Sequence, residues 1–217
     1  MGQPKGNSME AFIDGFLLQA SLIFALGAQN IFVLESGIKK QRPFFVALVC
    51  SLCDTFLILL GVFGAGGFFA QNPWLKIIFG AVGVIFLVYY GFLKIFERPT
   101  LALQHSSNAA TFSLKKILLN ALGFTFLNPH TYLDTIVLIG RYSASFVLHE
   151  RLFFAGGTII FSWIWFFALS FFAASFSRLL NQPARLRLVL AISGAVLLYL
   201  AYHLFHEVWS WMTLVSL

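Results

Sequence analysis

The sequence predicts an all-α membrane protein with six transmembrane helices, arranged as two inverted three-helix repeats in which helices 1 and 4 are interrupted. Hydrophobic residues make up 59% of the 217 residues and charged residues only 10%, whereas a soluble domain carries about 25% charge. Six apolar segments reach the length of about 20 residues that a spanning helix needs. A polar connection divides them three and three. Three spans per half place the halves in opposite orientations, as inverted repeats require.

The six predicted helices follow one another with short connections, which leaves no room for a soluble catalytic module. The first begins after a short polar leader, Met1 to Glu10, and its apolar region is too long for a signal peptide, so we expect it to be retained. We predict one transmembrane domain over residues 1–217, with repeats at about 11–96 and 116–207 joined by a loop at about 97–115. The predicted helices cover about 11–34, 44–67, 73–96, 116–140, 152–176 and 186–207.

Basic residues divide unevenly between the two sides that this topology defines. Ten of the 14 Lys and Arg residues lie in the loops after helices 1, 3 and 5. Such a bias marks the cytoplasmic side, so we expect loops 1–2, 3–4 and 5–6 in the cytoplasm and both termini outside. A helix count differing by one near the N-terminus would move that end inside. The net charge of +6 therefore indicates orientation and not nucleic-acid binding. The ten residues are Lys39, Lys40, Arg42, Lys94, Arg98, Lys115, Lys116, Arg178, Arg185 and Arg187.

Helix-breaking residues interrupt the first and fourth helices at corresponding positions. The first contains Gly27-Ala28-Gln29-Asn30 and the fourth contains Asn128-Pro129-His130. Pro129 removes a backbone donor and disrupts the preceding turn. Freed backbone groups at membrane depth are tolerated only where protein or a wet cavity satisfies them. Paired breaks of this kind indicate a transport site, and a kinked helix satisfied by its neighbours is the alternative.

Two aspartates lie deep in apolar helices. Asp54 is the only charged residue in 44–69, and Asp134 is the only Asp, Glu, Lys or Arg in 117–140. A charge at a helix centre costs about 2.5–3.5 kcal/mol to insert, so an intramembrane carboxylate indicates function. No Lys or Arg lies deep in any apolar segment. We therefore expect a cationic cargo to supply the missing charge; for either residue alone, a hydrogen bond to a neighbouring helix is the alternative.

Small polar groups surround each aspartate at helical spacing. Ser51 lies three residues before Asp54, and His130 lies four residues before Asp134, spacings that share a helix face. For Trp163 the alternatives are a cation–π wall or packing against lipid or core residues. For His130 they are a proton-relay or cargo role and a hydrogen bond to freed backbone. The candidate cargo-binding residues are Asp54, Asp134, Gln29, Asn30, Asn128, His130, Ser51, Ser162 and Trp163, with Gly27, Ala28 and Pro129 at the helix breaks.

Glu35 and the two cysteines are not among the candidate cargo-binding residues. Glu35, near the end of the first helix, is expected to be solvated or a vestibule charge. Cys50 and Cys53 precede Asp54, and soft thiolates beside a carboxylate suit zinc or cadmium. Such a site would need His130 from another helix, because the chain has no second cysteine pair. We expect no metal site and no cofactor, with a divalent-cation or cadmium exporter as an alternative.

These motifs resemble the LysE family of basic amino-acid exporters over nearly the whole chain. Where many members have Gly-Pro-Gln-Asn at the first break, this chain has Ala28 in place of the proline. The resembling segments are Gly27-Ala28-Gln29-Asn30 with Gly37-Ile38-Lys39, Cys50-x-x-Cys53-Asp54, Leu127-Asn128-Pro129-His130-x-Tyr132-Leu133-Asp134, and Ser162-Trp163-Ile164-Trp165-Phe166.

The resemblance implies a secondary transporter, not an enzyme, in a bacterial inner membrane. Such a protein exports L-lysine or L-arginine from the cytoplasm, coupled to the proton-motive force or membrane potential, and uses the acidic residues that match Asp54 and Asp134. The implied partners are the basic amino acid, protons as the antiported ion and the lipid bilayer; a homo-oligomer is compatible. From the residues alone, an exporter of other amino acids and a non-transporting structural or redox membrane protein stay open.

Overall fold

The computed structural model describes residues 7–24, 27–65, 73–97, 113–127, 131, 133–180 and 182–215. Within these residues the chain is helical and has no β-strand, which confirms the predicted all-α class. Two segments, Gly61–Ala65 and Leu133–Ile139, are π-helical. The α-helices are α1 (Ser8–Ile23), α2 (Ala28–Ile38), α3 (Pro43–Leu60), α4 (Pro73–Phe96), α5 (Leu114–Phe126), α6 (Gly140–Ser143), α7 (Leu148–Leu180) and α8 (Pro183–Val215).

The predicted first helix is divided into α1 and α2. An Asn7–Glu10 capping box starts α1, satisfying donors that the first helical turn leaves free. The second part, α2, starts at Ala28 after Gly27, whose extended backbone (φ −78°, ψ 168°) is not helical. The axes of α1 and α2 are inclined at 78°. Asn30 Nδ2 donates to the carbonyl oxygen of Ile23 at 2.8 Å, which ties the first turn of α2 to the end of α1.

Four helical spans in the described residues are long and apolar enough to cross a membrane. They are 43–64, 74–96, 148–177 and 183–213, and the bent pair of α1 and α2 would add a fifth crossing. The predicted fourth helix corresponds to α5, the second π-helical segment and α6, with residues 128–130 and 132 outside the described part. The six-span count therefore stays a prediction. Large apolar side chains such as Ile85 and Phe172 are 69% and 62% exposed on the outer surface, as contact with lipid requires.

The long helix α7 is the centre of the packing, because it contacts α1, α2 and α3. It approaches α1 closely at two glycines. A Cβ atom placed on Gly15 would lie 2.1 Å from the carbonyl oxygen of Phe154, and one on Gly157 would lie 2.0 Å from that of Phe12. Small residues allow membrane helices to bring their backbones together in this way. The α1–α7 contact therefore excludes any larger side chain at either glycine.

The helices α4 and α8 form the other extensive pair. They are the third helices of the two predicted repeats, so their pairing is compatible with a two-fold relation between the halves. The inverted-repeat arrangement and its boundaries remain predictions.

The two π-helical segments pack against each other. A Cβ atom on Gly61 would lie 2.7 Å from the carbonyl oxygen of Thr135, and one on Gly140 would lie 2.6 Å from that of Gly61. The first segment continues α3, which carries Asp54, and the second contains Asp134. Isolated π-helical turns are frequent at functional sites. The helices that carry the two predicted acidic residues thus depart from α-helical geometry where they meet.

Four charged side chains form a ring of ion pairs between α2 and α4. Lys39 Nζ lies 2.7 Å from Glu35 Oε1 and 2.6 Å from Glu97 Oε1. Lys94 Nζ lies 2.8 Å from Glu35 Oε1 and 3.2 Å from Glu97 Oε2. The side chains of Glu35 and Lys39 are only 6% and 3% exposed. The expectation that Glu35 is solvated was therefore wrong, because two lysines neutralise it and allow its burial.

Removing Lys94 from this ring should destabilise the protein. Lys94→Met leaves the buried Glu35 with Lys39 as its remaining ring partner. We expect the free energy of unfolding to fall by about 2 kcal/mol, which lies between the values for exposed and for buried ion pairs. Thermal unfolding of the detergent-solubilised variant should show a lower Tm. Lys115→Met is the matched control, because Lys115 is exposed; equal Tm values for the two variants would contradict a stabilising ring.

The stabilisation that Glu97 provides should disappear in acid. Burial by itself raises the pKa of Glu97, but the charges and hydrogen bonds of Lys94 and Lys39 outweigh it and hold this pKa below the ordinary value of 4.5. A carboxyl group with a lowered folded-state pKa stabilises the fold above its unfolded-state pKa, and this contribution is lost as the pH falls through the folded-state value. Glu97→Gln should lower Tm at neutral pH, and the difference from wild type should narrow below about pH 4.5. A difference that stays constant into acid would contradict this account.

Candidate functional site

One face of α3 carries a row of polar groups at helical spacing. Cys50, Ser51, Asp54 and Thr55 follow one another at intervals that place them on the same side of the helix. Ser51 is fully buried and Asp54 is 3% exposed. The face points towards α1, α2 and α7, each of which supplies a side chain that bonds to it. This α3 face is the candidate site.

Uncharged donors hold the carboxylate of Asp54. Gln19 Nε2 of α1 donates to Asp54 Oδ2 at 3.1 Å, and the hydroxyl group of Ser162 on α7 donates to the same oxygen. No ion pair involves Asp54 in the described part of the chain. An unneutralised carboxylate in an apolar interior is costly. The structure thus places the predicted residues Asp54 and Ser162 together, with Gln19 as a third member.

Two buried polar atoms near this carboxylate have no hydrogen-bond partner in the described structure. They are Gln19 Oε1 and Ser51 Oγ, and the two residues are 2% and 0% exposed. Leaving a buried polar atom unsatisfied costs about 1–3 kcal/mol. Such atoms beside an unneutralised acid indicate a place where a ligand supplies the missing donors.

Gln29 and Asn30, at the start of α2, form a second polar patch next to the first. Gln29 Nε2 donates to the carbonyl oxygen of Cys50 at 3.5 Å, one helical turn before Asp54. Trp165 Nε1 on α7 donates to Asn30 Oδ1 at 3.1 Å. No side chain caps the N-terminus of α2 at Gly27, and a helix N-terminus favours negative charge. The patch therefore lies next to the acid and has the opposite electrostatic character.

Trp163 lies at the edge of the α3 face and makes no described contact with Asp54. Its Nε1 donates to Thr55 Oγ1 at 3.0 Å, and its ring stacks on Phe167. The hydroxyl group of Thr55 in turn donates to the carbonyl oxygen of Ser51 at 2.7 Å. Trp163 thus joins α7 to the residue that follows Asp54. A cation–π contact between Trp163 and the cargo remains a prediction.

Several predicted residues lie where the structure gives no side-chain description. Asn128, Pro129 and His130 are outside the described residues, and so is the side chain of Asp134. The backbone of Asp134 belongs to the second π-helical segment, which packs against the continuation of α3. The fourth-helix half of the predicted site therefore stays a prediction.

The two cysteines are buried and free. Among the described residues, no group of three or more His, Cys, Asp and Glu side chains is placed to hold a metal ion. His130, which a metal site here would need, lies outside the described residues. The thiols next to Asp54 are packed in the hydrophobic core with residues of α2 and α7.

Sequence reasoning missed Gln19 and assigned the wrong environment to Glu35. Gln19 is an amide in the run from Phe16 to Phe24, where Ser21 is the only other polar residue, and the rule that singled out the aspartates also applies to Gln19. Glu35 and Lys39 are four residues apart in sequence, a spacing that signals an ion pair, but nothing in the sequence pairs them with α4.

Comparison with known proteins identifies the family. The sequence profile described as LysE type translocator matches residues 20–208. The chain belongs to the LysE-type translocator family. The motifs in the first, second, fourth and fifth predicted helices had indicated this family, and the match confirms it. Membership also makes the chain a translocator and not an enzyme.

Several bacterial relatives are similar over most of the chain. Arginine exporter protein ArgO of Klebsiella pneumoniae (strain 342) is 37% identical over 198 residues, covering 90% of this chain and 93% of the relative. The proteins of the same name from Salmonella newport (strain SL254) and Salmonella typhimurium (strain LT2) show the same identity and coverage. No solved structure matches the chain. Together with the spanning helices, these relatives show a multi-pass bacterial membrane protein.

Proposed function

We propose that this translocator exports cationic amino acids, L-arginine and L-lysine, from the cytoplasm across the bacterial inner membrane. The observation that carries the proposal is the buried Asp54 carboxylate, which is held by Gln19 and Ser162 and forms no ion pair in the described residues. A cationic cargo supplies the charge that this site lacks. The relatives named arginine exporters support a cargo of that class.

The amino acid binds along the α3 face in this proposal. Its side-chain cation or α-ammonium group approaches Asp54, with Asp134 as the second acid on the pathway. Its α-carboxylate meets the amides of Gln29, Asn30 and Asn128 and the N-terminus of α2, where the helix dipole favours an anion. The two patches are adjacent in the structure because Gln29 bonds to Cys50, one turn from Asp54. A basic amino acid carries a positive side chain beside its α-ammonium and α-carboxylate groups. Its positive and negative groups therefore match the acidic and the α2 patches of the site.

Proton coupling follows from the same carboxylate. A buried acid in an apolar interior is neutral only when it carries a proton or a cation. Cargo and proton therefore compete for Asp54, and release of one accompanies binding of the other. The proton-motive force drives export when the proton enters from the outer side. The basic-residue bias supports this orientation, with loops 1–2, 3–4 and 5–6 in the cytoplasm.

Neutralising either aspartate should abolish export. Asp54→Asn and Asp134→Asn remove the charge that attracts the cation and keep the side-chain shape. Both variants should reach the membrane but accumulate no labelled arginine or lysine in inverted vesicles. Asp14→Asn is the matched control, since Asp14 lies on α1 outside the site. Wild-type transport by either Asn variant would remove that residue from the mechanism.

Replacing both cysteines distinguishes amino-acid export from metal export. Cys50→Ser with Cys53→Ser removes the soft ligands that zinc or cadmium would need but leaves Asp54 and its partners in place. We expect arginine transport to survive and to respond to a pH gradient, with no cadmium flux in either protein. If the wild-type protein transports cadmium and the double variant does not, the metal exporter would be favoured. Leucine uptake equal to arginine uptake would instead favour a broader amino-acid exporter.

A further inference from the structure

We propose that Gln19 is a direct cargo contact that makes the site select a guanidinium group over an ammonium group. The inference rests on the proposed function, because it concerns the cation that Asp54 attracts. It goes beyond that function by naming a residue on α1 that accepts a hydrogen bond from the cargo and by choosing arginine over lysine.

The two carboxylate oxygens of Asp54 differ in the hydrogen bonds that they accept. Gln19 Nε2 and the Ser162 hydroxyl both donate to Asp54 Oδ2. Asp54 Oδ1 accepts no hydrogen bond from the described residues. These two donors use both lone pairs of Oδ2, so a guanidinium group can form the usual parallel two-bond pair with Asp54 only by displacing Gln19 or Ser162. The oxygen that remains available is Oδ1.

The amide oxygen of Gln19 is a second acceptor beside Asp54. Gln19 is 2% exposed, and its Oε1 has no hydrogen-bond partner in the described structure. Amide bond lengths place Oε1 about 2.3 Å from Nε2, which itself lies 3.1 Å from Asp54 Oδ2. Oε1 is thus a buried acceptor next to the carboxylate. Ser51 Oγ, one turn before Asp54 on α3, is a further buried oxygen without a partner.

These two acceptors fit a guanidinium group better than an ammonium group. The two oxygens, Asp54 Oδ1 and Gln19 Oε1, belong to different side chains on different helices. A guanidinium group carries five N–H donors on three nitrogens in a rigid plane, so two of its nitrogens reach two separate oxygens. An ammonium group carries its three donors on one nitrogen, which must approach both oxygens itself. The acceptor pair therefore favours arginine.

The test is the cargo preference of Gln19→Leu, which removes both the donor and the acceptor at similar volume. Competition between labelled arginine and lysine in inverted vesicles should show the arginine KM rising about 10- to 100-fold, the effect of losing a hydrogen bond to a charged group. The lysine KM should change much less, so the preference for arginine should disappear. An equal loss for both cargoes, or no change, would overturn the proposal.

Two matched variants separate contact from positioning and from packing. Ser162→Ala removes the other donor to Asp54 Oδ2 without touching Gln19 Oε1, so it should weaken arginine and lysine alike. Thr158→Val alters a buried α7 side chain beside Gly15 at the α1–α7 contact and should leave the preference unchanged. If Gln19→Leu behaves as Ser162→Ala does, Gln19 only positions the acid and is not a cargo contact.

A binding measurement distinguishes failure of this inference from failure of the proposed function. Ligand that binds the folded protein raises its Tm, so arginine should stabilise purified wild-type protein more than lysine at equal concentration. Gln19→Leu should lose that difference. Selective stabilisation by arginine without flux would retain the contact and reject export. Flux of both cargoes with no arginine preference in wild type would retain export and reject the contact.

Discussion

The carboxylate of Asp54 is held inside the helix bundle by an amide and a hydroxyl group and has no basic partner among the described residues. Burial of an acid in an apolar interior is tolerated when the acid is neutralised, and neutral donors stabilise it without supplying that charge. The neighbouring unsatisfied atoms, Gln19 Oε1 and Ser51 Oγ, add to the same deficit. The helix arrangement around α3 keeps this combination in one place, and the proposed transport cycle depends on it.

The ring of ion pairs shows that the same chain neutralises other acids with its own lysines. Glu35 and Glu97 each contact both Lys39 and Lys94, so these charges are neutralised within the protein. The ring joins α2 to the end of α4 and stabilises that contact. Lysines neutralise Glu35 and Glu97 within the protein, whereas Asp54 has no ion pair among the described residues, as the proposed exchange of a proton for a cation requires. Glu35 and Asp54 are both buried and differ in their charged neighbours.

The break between α1 and α2 explains how two distant residues reach one face of α3. Gln19 and Gln29 would be about 15 Å apart along a continuous helix, at 1.5 Å per residue. Their partners on α3, Asp54 and Cys50, are separated by about 6 Å along that helix. The 78° inclination between α1 and α2 removes the mismatch. The extended backbone of Gly27 precedes the first turn of α2, although the chain has Ala28 where many family members have a proline.

The sequence by itself determined the helical class, most helix positions and the translocator family, and it singled out Asp54 as a candidate, because hydropathy and a charge in an apolar run are local properties. Helical spacing also placed Ser51 on the face of that acid, and Ser162 was a candidate residue of the same site, but only the tertiary structure showed that Ser162 bonds to Asp54. Only the tertiary structure decided that Gln19 bonds to Asp54, that Trp165 contacts Asn30 and that Glu35 is buried with Lys94. These contacts join residues between 35 and 135 positions apart. Which of these residues meet depends on the angles at which the helices cross, and the sequence of a single helix does not encode those angles.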